Sequence, residues 1–71
     1  MQRNKLVGRI AEAGYTQASL AQAMKMSKNS LNSKINGKSQ FNLKEIEQMC
    51  DILSINSLAE KAQIFFGESS Q

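Results

Sequence analysis

Four short polar residues punctuate this chain: Thr16, Ser27, Asn42 and Ser57. Each stands just before a run in which apolar residues recur every three or four positions. A side-chain oxygen placed there accepts a hydrogen bond from a backbone N–H that the first turn of a helix leaves unpaired. Caps this closely spaced leave room only for short helices. Proline is absent, and no run alternates apolar and polar residues as a half-buried strand would.

The spacing predicts five helices. The first covers Gln2 to Ala13, with Leu6, Val7, Ile10 and Ala13 recurring at helical intervals; Gly8 weakens it and Gly14 ends it. Thr16 caps a second, from Gln17 to Met24, with Tyr15 and Leu20 at the spacing of a hydrophobic staple and Leu20, Ala21 and Met24 inward. Ser27 caps a third, Lys28 to Asn36, with Leu31 and Ile35 on its buried side and Gly37 closing it. Asn42 opens a fourth. Glu45 is placed to complete a capping box, Phe41 and Ile46 form a staple, and Leu43, Ile46, Cys50 and Leu53 mark the buried face. Ser57 and Glu60 repeat the box and open a short fifth helix through Leu58 and Ala62, stopped at Gly67. The expectation is one all-α domain over residues 1–67, with residues 68–71 a frayed tail.

Several classes of function are excluded. The single Cys, Cys50, cannot form an internal disulfide, and its place on the fourth helix's apolar stripe makes it a small buried hydrophobe. Without His or a Cys cluster there is no plausible zinc site and no Ser-His-Asp or Cys-His catalysis. No spacing brings two titratable groups together in a cleft. We therefore expect no enzyme, no metal, no cofactor and no small-molecule ligand. No stretch suits a membrane span or a signal peptide, so a reducing cytoplasm is the expected setting.

Charge is unevenly spread. Residues 1–24 carry a net +2, residues 25–44 a net +5 from five lysines and no acid, and residues 45–71 a net −4. A basic middle and an acidic end suggest one surface meant for a polyanion and another kept away from it.

The stretch "TQASLAQAMKMSKNSLNSKINGK", Thr16 to Lys38, couples two short helices through about three residues. It resembles the helix-turn-helix of the phage repressor and Cro proteins, the xenobiotic response element family. Gln17, the Leu20-Ala21 pair, Met24, Met26, Leu31 and the Asn36-Gly37-Lys38 exit carry the likeness, and "FNLKEIEQMCDILSI" is similar to the helix that follows in that family. Two positions depart. Lys25 stands where the family usually has Gly, and Lys34 stands where it has an apolar residue, with Ile35 next. The resemblance implies a five-helix, lambda-repressor-like domain. It further implies a transcriptional regulator, a phage or prophage repressor acting in a bacterial or phage-infected cytoplasm, that binds palindromic double-stranded DNA as a homodimer.

Within the third helix, Asn29, Asn32, Ser33 and Asn36 fall in an arc of about 100°, away from Leu31 and Ile35. Amides, hydroxyls and lysine ammonium groups match base edges. Lys28, Asn29, Asn32 and Ser33 are the candidate base contacts. Gln17, at a helix N-terminus and similar to the family's phosphate clamp, is a candidate phosphate contact with Ser27, Lys34, Asn36 and Lys38. One reading helix spans too few base pairs to select a site, so pairing is expected. In "AQIFFG" a helix cannot turn Ile64, Phe65 and Phe66 all inward, which makes Phe65 and Phe66 candidate dimer contacts, in a pair that is weak or assisted by DNA; the alternative is that they fold back over the small core. The competing expectation is a protein-interaction module, an antitoxin or an adaptor. It predicts a larger exposed apolar patch and does not account for the acid-free segment.

Overall fold

The computed structural model describes residues 1–67, so the tail expected at residues 68–71 lies outside the described residues. The helices are α1 (Arg3–Glu12), α2 (Gln17–Ala23), α3 (Lys28–Ile35), α4 (Leu43–Ile52) and α5 (Leu58–Phe66). Among the described residues there is no strand.

The caps form where the sequence places them. The Thr16 side chain accepts from the Ser19 N–H, and Ser19 returns the bond to the Thr16 N–H, a capping box that uses Ser rather than Glu. Ser27 accepts from Ser30. Asn42 and Glu45 form the reciprocal pair at 2.8 and 3.0 Å. The last expected box is half made: Ser57 accepts from the Glu60 N–H, but the Glu60 carboxylate instead lies 3.4 Å from Arg9 Nε.

The helix ends share a second device. After α1, α2, α3 and α4 the chain turns through one left-handed residue: Gly14 (φ 83°), Lys25 (58°), Gly37 (82°) and Ser54 (58°). The following residue then donates back into the last turn, as Tyr15→Ile10, Met26→Ala21, Lys38→Ser33 and Ile55→Cys50. This paired closure satisfies carbonyls that the helix leaves open, and it favours an apolar residue just past the turn. Tyr15, Met26 and Ile55 do pack on the core. After α3 the position holds Lys38 instead, which is exposed. That exception points a cation outward where the other three ends point an apolar group inward.

A non-Gly residue in the left-handed region carries a penalty of about 1 kcal/mol. Lys25→Gly should therefore raise stability by up to about 1 kcal/mol, less the greater chain entropy of glycine in the unfolded state. Chemical denaturation would measure it, and a clear loss would mean that Lys25 makes a compensating contact.

Leu6, Leu20, Leu31, Ile35, Met49 and Ile64 are the fully buried centre, drawn from all five helices. Two expected assignments change. Leu43 is 63% exposed, and Met49 takes the buried place beside Ile46, Cys50 and Leu53. At 100° per residue Leu43 falls about 70° from the middle of that stripe, at its edge. Leu58 is 78% exposed and Ala62 is exposed too, because α5 docks through Ile64 and Phe65. Burial raises the Cys50 thiol's pKa above its ordinary value, as suits a core residue.

Arg9 ties the two ends of the chain together. Its Nη2 donates to the carbonyls of Leu53 and Ser54, both at 3.2 Å, at the end of α4, while Glu60 of α5 neutralises it. A backbone bond from Gln2 N to Ile64 O, 2.8 Å, fastens α5 to the start of α1. The result leaves α3 with one long side uncovered.

Candidate nucleic-acid interface

The uncovered side of α3 follows from its apolar residues. Leu31 and Ile35 are both fully buried and fix the rotation of the helix. Asn29, Asn32, Ser33 and Asn36 consequently share the outer side. Together with Lys38 they line one shallow depression. Lys28, Asn29, Asn36 and Lys38 are exposed, and Asn32 and Ser33 half-buried. The loop after α3 is held by two bonds onto the Ser33 carbonyl, from Lys38 N at 2.9 Å and Ser39 N at 3.3 Å, which fixes Lys38 beside the depression. Of the remaining candidates, Gln17 opens α2 half-buried, and Ser27 uses its oxygen as the α3 cap.

Lys34 is corrected. Its ammonium lies 2.7 Å from both carboxylate oxygens of Glu45, and the two side chains are only 18% and 19% exposed. The reason is rotational: Lys34 sits about 150° around α3 from the amide face, and so meets α4. It is not offered to a phosphate. Phe65 is corrected as well. It is 8% exposed and packs edge-on against Phe41, with ring centroids 6.0 Å apart, so it belongs to the core and not to a dimer contact. Phe66 is 59% exposed.

One participant has no sequence signal. Arg3 Nε donates to Asn36 Oδ1 at 2.9 Å, and Asn36 Nδ2 donates to Asn32 Oδ1 at 2.6 Å. Arg3 lies thirty-three positions from Asn36, and nothing in local periodicity brings the two together.

Lys25, Lys28, Lys38 and Lys44 are all exposed and without an ion-pair partner among the described residues, and Lys38 among them lines the depression. Glu47 and Asp51 line a different depression, between α4 and the start of α5. Among the described residues no cluster of His, Cys, Asp or Glu could hold a metal ion, and no helix is long and apolar enough to cross a membrane.

A family model described as "Protein of unknown function (DUF739)" matches residues 2–68. The chain belongs to this family. No curated protein and no solved structure matches it. The DUF739 match takes in every helix, so the five-helix unit and the family's extent coincide.

The Lys34–Glu45 pair gives this DUF739 domain a testable acid response. The hydrogen bond from Lys34, with a smaller contribution from the Asn42 N–H, holds the Glu45 carboxyl below its ordinary value. A lowered folded-state value stabilises the fold above the ordinary carboxylate range, and that stability disappears as pH falls through the lowered value. Lys34→Met should cost about 1 kcal/mol at neutral pH and flatten the loss of stability on acidification by a similar amount. Denaturation midpoints measured across the acid range would check it, and a variant with the wild-type pH slope would count against the pair.

Proposed function

We propose that this protein is a sequence-specific double-stranded DNA-binding transcriptional regulator that represses by occupying its operator. In this reading α2 and α3 form a helix-turn-helix, and α3 enters the major groove. The observation that carries it is the acid-free outer side of α3, where Asn29, Asn32, Ser33 and Asn36 share a depression with Lys38. Amide and hydroxyl groups are what base edges require, and exposed lysines are what phosphates require. The exposed Lys38, in a position that three other helix ends fill with an apolar residue, adds to it. Lys28 and Asn29, in the first turn of α3, reach deepest; Gln17, Ser27 and Lys38 hold the backbone. Phe66 contributes to a weak homodimer that DNA completes. The setting is the cytoplasm of a bacterium carrying a prophage or a related element.

Selection from a pool of random duplexes tests this. The expected product is a palindrome whose half-sites lie about one DNA turn, ~34 Å, apart. A pool that stays random would favour the protein-partner reading. On the selected site, Asn29→Ala should erase preference at one position per half-site, at about 1–3 kcal/mol for a bidentate contact. Lys38→Ala should weaken every sequence alike. Binding curves on single-base variants separate the two effects, and an unchanged base preference in Asn29→Ala would place the reading side elsewhere.

A further inference from the structure

The bonds joining Arg3, Asn36 and Asn32 have a chemical direction. Arg can donate but has no acceptor. The atom of Asn36 that faces Arg3 Nε must therefore be its oxygen, Oδ1. That leaves Asn36 its NH2 group, which only donates, so the atom of Asn32 that it faces must be Oδ1 as well. The polarity of both amides follows from the guanidinium alone.

We infer that Arg3 sets which base Asn32 reads. This deepens the DNA-binding reading and rests on it. A free Asn offers a donor and an acceptor together, the pair that adenine complements through N7 and N6. With one of the two lone pairs of its oxygen taken by Asn36, Asn32 is a weaker acceptor and keeps its NH2 group wholly free to donate. A donor finds two acceptors on guanine, N7 and O6, or the O4 of thymine, whereas on adenine it finds N7 alone beside an opposing amino group. Asn29, whose side chain has no hydrogen-bond partner among the described residues, keeps both ends and remains suited to adenine. Two asparagines one turn apart on the same helix thus acquire different preferences, and the difference originates on α1. Arg3 acts here as a positioning residue, through Asn36, without touching the base that Asn32 contacts.

The test uses the full chain and two readouts. The first needs no DNA: the side-chain amide resonances of Asn32 and Asn36 in the free protein. Arg3→Met should shift both pairs and speed their exchange with water. Resonances that do not move in Arg3→Met overturn the inference while leaving the DNA-binding reading intact. The second is the base preference at the position whose discrimination Asn32→Ala erases. Wild type should favour guanine or thymine there, and Arg3→Met and Asn36→Ala should each move the preference toward adenine by about tenfold, the scale of one good base contact. In the Asn32→Ala background, Arg3→Met should change no preference. A uniform fall in affinity for all four bases would make Arg3 a simple phosphate contact and overturn the inference. A wild-type protein that discriminates among duplexes while Asn32→Ala erases no preference overturns this inference alone. A wild-type protein that discriminates among none overturns the DNA-binding reading and this inference with it.

Discussion

Phe65→Ala is expected to cost about 3–5 kcal/mol of stability, and Phe66→Ala, one residue on, less than about 0.5 kcal/mol. The contrast follows from rotation of α5. Phe65 is buried, edge-on to Phe41, and its truncation leaves a cavity among Phe41, Ile46 and the α5 backbone. Phe66 is turned outward, at the rim of the groove that Met1, Phe41 and Phe65 line. A chain of this length has about 4–10 kcal/mol in total, so the first substitution removes much of the fold's margin. Thermal unfolding followed by circular dichroism should show a fall of roughly 12 °C or more for Phe65→Ala and almost none for Phe66→Ala. The second variant should instead weaken cooperative occupation of two half-sites. Equal destabilisation by both would mean that Phe66 closes over the groove in solution and that pairing lies elsewhere.

Binding to the operator should fall about a thousandfold between 50 and 200 mM salt. In the proposed dimer each protomer would offer three exposed cations of the 25–38 segment, Lys25, Lys28 and Lys38, so a pair would neutralise about six phosphates. Counterion release then gives log K a slope of about −5 against log salt, since each phosphate contributes about −0.9. Lys38→Ala should reduce the steepness by about 2 in the dimer. Lys34→Ala should leave the slope alone, because Glu45 already neutralises that ammonium. A slope near zero would place the energy of association in apolar contacts and speak for a protein partner.

The parts of this fold legible in the sequence are local ones. Thr16, Ser27, Asn42 and Ser57 act within three residues of themselves, so the starts of α2 to α5 could be read from composition and spacing. Gly14 and Gly37 marked two ends for the same reason. Ser54 ends α4 in the same left-handed geometry with nothing in its identity to announce it. Rotation about a helix axis was legible where two apolar residues pinned it, as Leu31 and Ile35 do for α3. It was not legible for α5, where the sequence requires one of three consecutive apolar residues to face out without saying which. Contacts between helices were the least legible. Lys34 meets Glu45 only because the end of α3 comes near the first turn of α4, and Arg3 meets Asn36 only because the start of α1 lies beside the end of α3. Both change the candidate site: one withdraws a cation from it, and the other fixes the direction of its amides.

In the proposed function the α3 side is the surface that meets DNA. Backbone amide chemical shifts followed while a selected duplex is added to the labelled protein test it most directly. The largest changes should fall at Gln17 and across residues 27–38, with Arg3 joining them, while Glu47, Asp51 and the first turn of α5 stay near their free positions. Changes concentrated on α4 and α5, or no changes with duplex at low salt, would contradict it.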